Sequence, residues 1–244
     1  MLKGEKMSVK MILFDLDGTL LPMDQDVFMK SYFGGLAKKL APAGYTDVKQ
    51  LVGAIMSGTA AMVANDGRTT NEEVFWDRFA GILGEGINEN KYLLEDFYRN
   101  EFENVRESCG YNEAAGKTVK LLKEKGFRVS LATNPLFPQM ATESRLRWSG
   151  VSREDIEWLG SYENSHYCKP NLAYYKEITD ILGVDPTECL MVGNDVGEDM
   201  IAEQLGMKVF LLTDCLLNRK GEDITRYPQG SFDELIEYVN NILM

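Results

Sequence analysis

The 244-residue chain has one histidine, His166, and four widely spaced cysteines, Cys109, Cys168, Cys189 and Cys215. A lone histidine with no partner at ligand spacing gives neither a multi-histidine metal site nor a Ser–His catalytic pair. No two cysteines form a CxxC pair, so no zinc or redox motif is indicated. The thiols read as reduced cysteines of a cytoplasmic protein. Positive charge is scarce: 26 Lys and Arg face 38 Asp and Glu, for a net charge of −12 and a pI near 4.7. Such a surface repels phosphate backbones and anionic headgroups, which excludes nucleic-acid polymers and membranes as expected partners. A local basic pocket can still take a small anion. No apolar run is long enough to span a bilayer. The N-terminal MLKGEKMSVK is charged and reaches Asp15 after a short apolar segment, unlike a signal peptide. Met7 is a candidate start, with residues 1–7 as a loose tail.

What is present is ordinary globular material, 44% hydrophobic and 26% charged. The length suits one large core, or a core with a modest insert. Residues 10–14, KMILF, read as a buried strand that breaks into a tight turn at Gly18. From about 24 to 106 the apolar spacing is helical, in VFMKSYFGGLAKKL, VKQLVGAIMSGTAAMV, EEVFWDRFAGIL and KYLLEDFYRNEFENV. Thr70 and Glu73 have the spacing of a capping box before the third of these. The aromatics Phe28, Tyr32, Phe33, Phe75, Trp76 and Phe79 fall at helical spacing and read mainly as packing residues. After about 107, helices alternate with the strands FRVSLAT, IEWLGS (weaker), ECLMVG and MKVFLLT. GEDMIAEQLG is among the predicted helices and SFDELIEYVNNIL is the last. Alternation with short connections predicts an α/β fold: a Rossmann-like parallel sheet with an inserted helical block.

In such a sheet, ligands sit at the carboxyl ends of the strands. Asp15 and Asp17 follow the first strand, Thr133 and Asn134 the second. His166 and the Lys169-Pro170 pair follow IEWLGS, and Asn194, Asp195 and Asp199 follow ECLMVG. Carboxylates gathered at one point repel one another unless a cation joins them, and hard oxygen donors suit Mg²⁺. A carboxylate can attack phosphorus, and a second carboxyl two residues along the chain can act as acid and then base.

DLDGTL, LATNP, CKP and VGNDVGED, in that order, resemble the four motifs of the haloacid dehalogenase (HAD) superfamily. The resemblance covers 1–20 and 107–244 as an α/β core. It makes 21–106 a helical cap of the C1 type. It implies that Asp15 is the nucleophile and Asp17 the general acid/base, with the Asp17 carbonyl on the metal. It places the Thr133 hydroxyl and the Asn134 amide on the phosphoryl group, with Lys169 steadying nucleophile and phosphate. Gly18 allows the turn that brings backbone N–H groups to the phosphate. The implied Mg²⁺ ligands are Asp15, Asp17 and the acidic motif. There Gly193-Asn194-Asp195 replaces the commoner Gly-Asp, so either Asn194 or Asp195 fits the main ligand place. Asp195 is preferred as a carboxylate, with Asp199 as a further ligand or as the partner of Lys169. The dehalogenases proper lack an acid at the place of Asp17. The implied activity is therefore Mg²⁺-dependent hydrolysis of a small phosphorylated metabolite through an aspartyl-phosphate. A β-phosphoglucomutase-like mutase and a catalytically silent binding protein are the alternatives.

Overall fold

The computed structural model describes residues 9–243, so the expectation for residues 1–7 lies outside it. Five strands, β1 (Met11–Phe14), β2 (Arg128–Leu131), β3 (Cys189–Gly193), β4 (Lys208–Leu212) and β5 (Gln229–Gly230), form one parallel sheet. The spatial order is β2-β1-β3-β4-β5. Every residue of β1 and β3 is buried, as expected of a sheet covered on both faces. Within β1, Ile12 and Phe14 join one apolar cluster, Met11 and Leu13 the other. Successive side chains of a strand point to opposite faces, so four residues serve two cores. Burial of each such side chain contributes about 1.5–3 kcal/mol.

Phe14 stands level with Leu131 on one side and Val192 on the other. The three strands therefore end together, and the residues after them meet. The chain passes from β1 to β2 in one direction and to β3 in the other, which makes the end of β1 the switch point of the sheet.

Between β1 and β2 the chain is helical: α1 (Gln25–Leu40), α2 (Val48–Val63), α3 (Asn71–Leu83), α4 (Gly86–Glu89) and α5 (Lys91–Arg99). Asp24 caps α1 by accepting from the Asp26 and Val27 amides, and the Thr70–Glu73 capping box at α3 is formed. The predicted helix 91–105 is interrupted at Asn100 and continues as a 3-10 segment, Glu101–Ser108. Phe97 and Phe102 are five positions apart and would diverge on one α-helix. The tighter turn lets both reach the same core, with ring centroids 6.0 Å apart.

The block joins the sheet domain through two adjacent crossings, where Met23 bridges Cys109 and the Gly110 amide donates to the Pro22 carbonyl at 2.7 Å. A second tie lies at the start of α3. There the Asn71 amide donates to Ser165 O at 2.9 Å and the Glu72 amide to Tyr162 O at 2.8 Å. The Asn71 side chain, fully buried, also donates to Tyr167 O.

The remaining helices, α6 (Glu113–Glu124), α7 (Gln139–Trp148), α8 (Leu172–Leu182) and α9 (Phe232–Leu243), flank the sheet. Two expectations need correction. IEWLGS runs parallel to β2 but is not a full strand. The Trp158 amide donates to Ser130 Oγ instead of a main-chain carbonyl, and only Leu159 bridges Leu131. GEDMIAEQLG is a turn followed by a 3-10 segment, Met200–Leu205, rather than an α-helix. Asp195 Oδ1 takes the Gly197 and Glu198 amides and fixes a turn where the first helical turn was expected.

Candidate active site

A cavity of about 240 Å³ opens at the carboxyl ends of β1, β2 and β3. Asp15, Asp17, Thr133, Asn134, Asn194, Asp195 and Asp199 all line it. Lys169 lies against it through Asp15: its ammonium donates to Asp15 Oδ1 at 2.8 Å and to Asp199 Oδ1 at 2.6 Å. Lys169 is 1% exposed. Burial alone would lower its pKa, but the Asp15 and Asp199 carboxylates raise it well above the ordinary lysine value. It is a fixed charge.

The Thr19 hydroxyl lies 3.0 Å from Asp15 Oδ2 and 2.9 Å from Asn194 Oδ1, and its single proton is shared between these two acceptors. Asp17 contacts a residue that sequence patterns do not single out, Arg145 of α7. The Arg145 guanidinium is fully buried, pairs with Asp17 Oδ2, donates to Ala141 O and Thr142 Oγ1, and lies 4.3 Å from the Phe137 ring centroid. Asp17 Oδ1 is buried with no hydrogen-bond partner among the described residues. Burial pushes the Asp17 carboxyl above the usual carboxylate range, against the pull of Arg145, and the neighbouring Asp15 adds to the rise. A carboxyl so placed holds a proton more readily than one in water.

Thr133 is 1% exposed, and its carbonyl accepts from Tyr174 OH at 2.5 Å. Asn134 Oδ1 accepts from the Lys169 amide at 3.2 Å and its Nδ2 donates to Glu198 Oε2 at 3.1 Å. The side chain thus joins the second and third loops. Gly18 has φ +84°, and a Cβ there would collide with the Asn194 side chain. Its own amide donates to Leu21 O at 2.8 Å. Its part is therefore the turn and the close approach to Asn194, and its own N–H is not free for a phosphate.

The acidic motif divides its work. Asn194 Nδ2 donates to Cys215 O at 2.6 Å, while its Oδ1 competes with Asp15 Oδ2 for the Thr19 proton. Asp199 Oδ1 holds Lys169 and its Oδ2 accepts the Asp195 amide at 2.9 Å. Asp195 Oδ2 pairs with Arg219, a second residue the sequence did not mark, whose guanidinium also donates to Gln25 Oε1 at 2.9 Å. His166 stays outside the cavity on Glu177, with Nδ1 2.6 Å from its carboxylate.

Among the described residues, no group of three or more His, Cys, Asp or Glu is arranged to hold a metal ion. The donor chemistry nevertheless fits a hard divalent cation. Asp15, Asp17, Asn194 and Asp195 present only oxygens and one amide to the cavity, and Asp17 Oδ1 is an unsatisfied buried acceptor. As it stands, Asp195 neutralises its charge on Arg219 instead.

The family model for haloacid dehalogenase-like hydrolases matches residues 9–205. The chain belongs to that family. Phosphoglycolate phosphatase of Vibrio vulnificus is 25% identical over 205 residues, covering 84% of each chain. D-glycero-β-D-manno-heptose-1,7-bisphosphate 7-phosphatase of Haemophilus ducreyi is 26% identical over 152 residues, 52% of this chain and 84% of that one. Among solved structures, a HAD phosphatase from Thermococcus onnurineus superimposes with a TM-score of 0.59 at 18% identity, covering 95% of this chain and 98% of its own. A 2-haloacid dehalogenase from Pseudomonas syringae pv. Tomato gives 0.64 at 18% identity, covering 96% and 99%. At that identity the haloacid dehalogenase-like fold is shared and the reaction is not specified.

Proposed function

We propose that this haloacid dehalogenase-like hydrolase is a Mg²⁺-dependent phosphatase of small phosphomonoesters, working through a covalent phosphate on Asp15. One observation carries the reading: Asp17 lies beside Asp15 in the same cavity, and burial keeps its carboxyl ready to hold a proton. Dehalogenation requires no such acid, whereas an alkoxide leaving group does. The phosphatase activities in the names of the curated relatives agree.

An Asp15 oxygen attacks phosphorus in line as the ester P–O bond breaks, and Asp17 passes its proton to the departing alkoxide. Asp17 then takes a proton from water, whose oxygen attacks phosphorus and releases inorganic phosphate and Asp15. Lys169 and Thr133 would stabilise the developing charge. Asp15, the Asp17 carbonyl and Asp195 would hold Mg²⁺, which supplies Lewis-acid neutralisation of the phosphoryl oxygens. The helical block, residues 21–106, would act as a cap that excludes bulk water.

Phosphate release from p-nitrophenyl phosphate, with and without Mg²⁺, tests the activity, and free phosphate rather than an isomerised ester separates a phosphatase from a mutase. Two further outcomes are expected. Asp17→Asn lowers kcat/KM, which reports the alcohol-releasing step, by roughly 10²–10⁴-fold on alkyl phosphates, and by less on aryl phosphates whose phenolate departs without a proton. An equal loss on both classes would remove Asp17 as the acid. Asp195→Ala raises the Mg²⁺ concentration for half-activation by roughly tenfold or more. Asn194→Ala instead lowers stability by about 1–3 kcal/mol, because the Cys215 carbonyl loses its donor, while Thr19 keeps Asp15 as its acceptor. A Mg²⁺ titration and a thermal melt of both variants check this, and the reverse pattern would make Asn194 the main ligand.

A further inference from the structure

A second, larger cavity of about 380 Å³ lies between the helical block and the sheet domain. It shares the wall formed by Met29, Leu136 and Phe137 with the acidic cavity. Leu136 and Phe137 directly follow Thr133, Asn134 and Pro135, so one loop serves both spaces. The larger cavity is therefore the neighbour, across this wall, of a phosphoryl group held at Asp15.

The lining is aromatic: Tyr32, Phe75, Trp76, Tyr98, Phe137 and Tyr162. Its volume is that of a pocket for a ligand well above the size of a two-carbon acid. The Tyr32 and Tyr98 hydroxyls are 2.6 Å apart, so one donates to the other and the second proton remains to be donated. That gives the pocket a neutral donor.

Its charges disfavour a second anion. Glu72, Glu95 and Glu163 face Lys91 and Arg99. Arg99 is paired with Glu95 at 3.5 Å, and the Lys91 ammonium sits 4.4 Å from the Trp76 ring centroid. Burial, and after it the neighbouring Glu163, push the Glu72 carboxyl up against the pull of Lys91. Arg68, a cation of the α2–α3 loop, is engaged by Asp66 and lines neither cavity.

We infer that this cavity seats the leaving group of the substrate, and that the leaving group is a bulky, uncharged, ring-bearing alcohol rather than a small acid or a second phosphate. The inference rests on the phosphatase reading and adds the substrate class.

The test compares three primary alkyl esters with leaving alcohols of similar basicity: 3-phenylpropyl, propyl and 3-carboxypropyl phosphate, hydrolysed by the full chain with Mg²⁺. The expected kcat/KM for the phenylpropyl ester exceeds that for each of the others by about 30-fold or more, the worth of one buried ring. Hydrolysis of all three within about threefold overturns the inference and leaves the phosphatase reading standing. Hydrolysis of none of them, and none of p-nitrophenyl phosphate, overturns the phosphatase reading and the inference with it. Two variants locate the effect. Thr59→Trp, on α2 and lining the cavity, fills it and brings the phenylpropyl-to-propyl ratio toward one. Met56→Lys, at a lining position 49% exposed, raises the carboxypropyl ester relative to the phenylpropyl ester. Ratios unchanged in both folded variants would place the ring elsewhere and overturn the assignment.

Discussion

Asp15→Asn is expected to lower kcat by about 10⁴-fold or more while the protein stays folded. The change removes the attacking oxygen and almost no volume. Lys169 keeps its 2.6 Å contact with Asp199, and Thr19 keeps its contact with Asn194, so the cluster loses one charge and no scaffold. A thermal melt within a few degrees of the parent would separate lost chemistry from lost structure. Acid-quenched parent protein, digested and examined by mass spectrometry, should carry phosphate on the peptide containing Asp15, and the variant should not. Turnover within tenfold of the parent, in a preparation free of other phosphatases, would overturn the covalent mechanism.

Lys169→Met should damage stability as well as rate. The ammonium sits between two carboxylates in a space where Lys169 and Asp199 are each 1% exposed. Taking away one partner of a buried ionic cluster leaves the other charges without compensation, at a cost of roughly 3–5 kcal/mol. For a chain of this length that is a fall in Tm of roughly 6–20 °C. The double variant Lys169→Met/Asp199→Asn should recover part of the Tm, because one of the stranded carboxylates is gone, and none of the activity. If the single variant melts with the parent, Lys169 is not the centre of the cluster. If the double variant melts lower than the single, the Asp199 contribution is packing and not charge.

The residues that meet in the acidic cavity were legible because each follows a strand in a recognisable string. Asp15, Thr133 and Asn194 follow β1, β2 and β3, and parallel strands in register must bring them together. Arg145 and Arg219 were not legible. Arg145 is 128 positions from Asp17, and nothing in the pattern of α7 marks it as a residue that turns inward. Arg219 lies in a loop without periodicity. The two regular elements that read too strongly, IEWLGS and GEDMIAEQLG, failed where a side chain captured a backbone amide, at Ser130 and Asp195. Apolar periodicity does not register such captures. β5, at two residues, is too short to carry a pattern.

The main chain of the helical block is fastened to the sheet domain at two places that differ in kind, and side-chain bonds between Glu103 and Trp148 and between Gln25 and Arg219 add to them. One is covalent, the paired crossings at Met23 and Cys109, and the other is the seam of main-chain bonds from Asn71 and Glu72 to Ser165 and Tyr162. Of the rigid-body motions of the block, rotation about the line through these two attachments is the one that keeps both sets of main-chain bonds. Translation, or rotation about another axis, must break buried backbone bonds and expose the Asn71 amide. Because the seam lies on the segment that leads into Lys169, the cation would keep its position beside Asp15 throughout such a swing, while the helical wall of the aromatic cavity moved relative to Leu136 and Phe137.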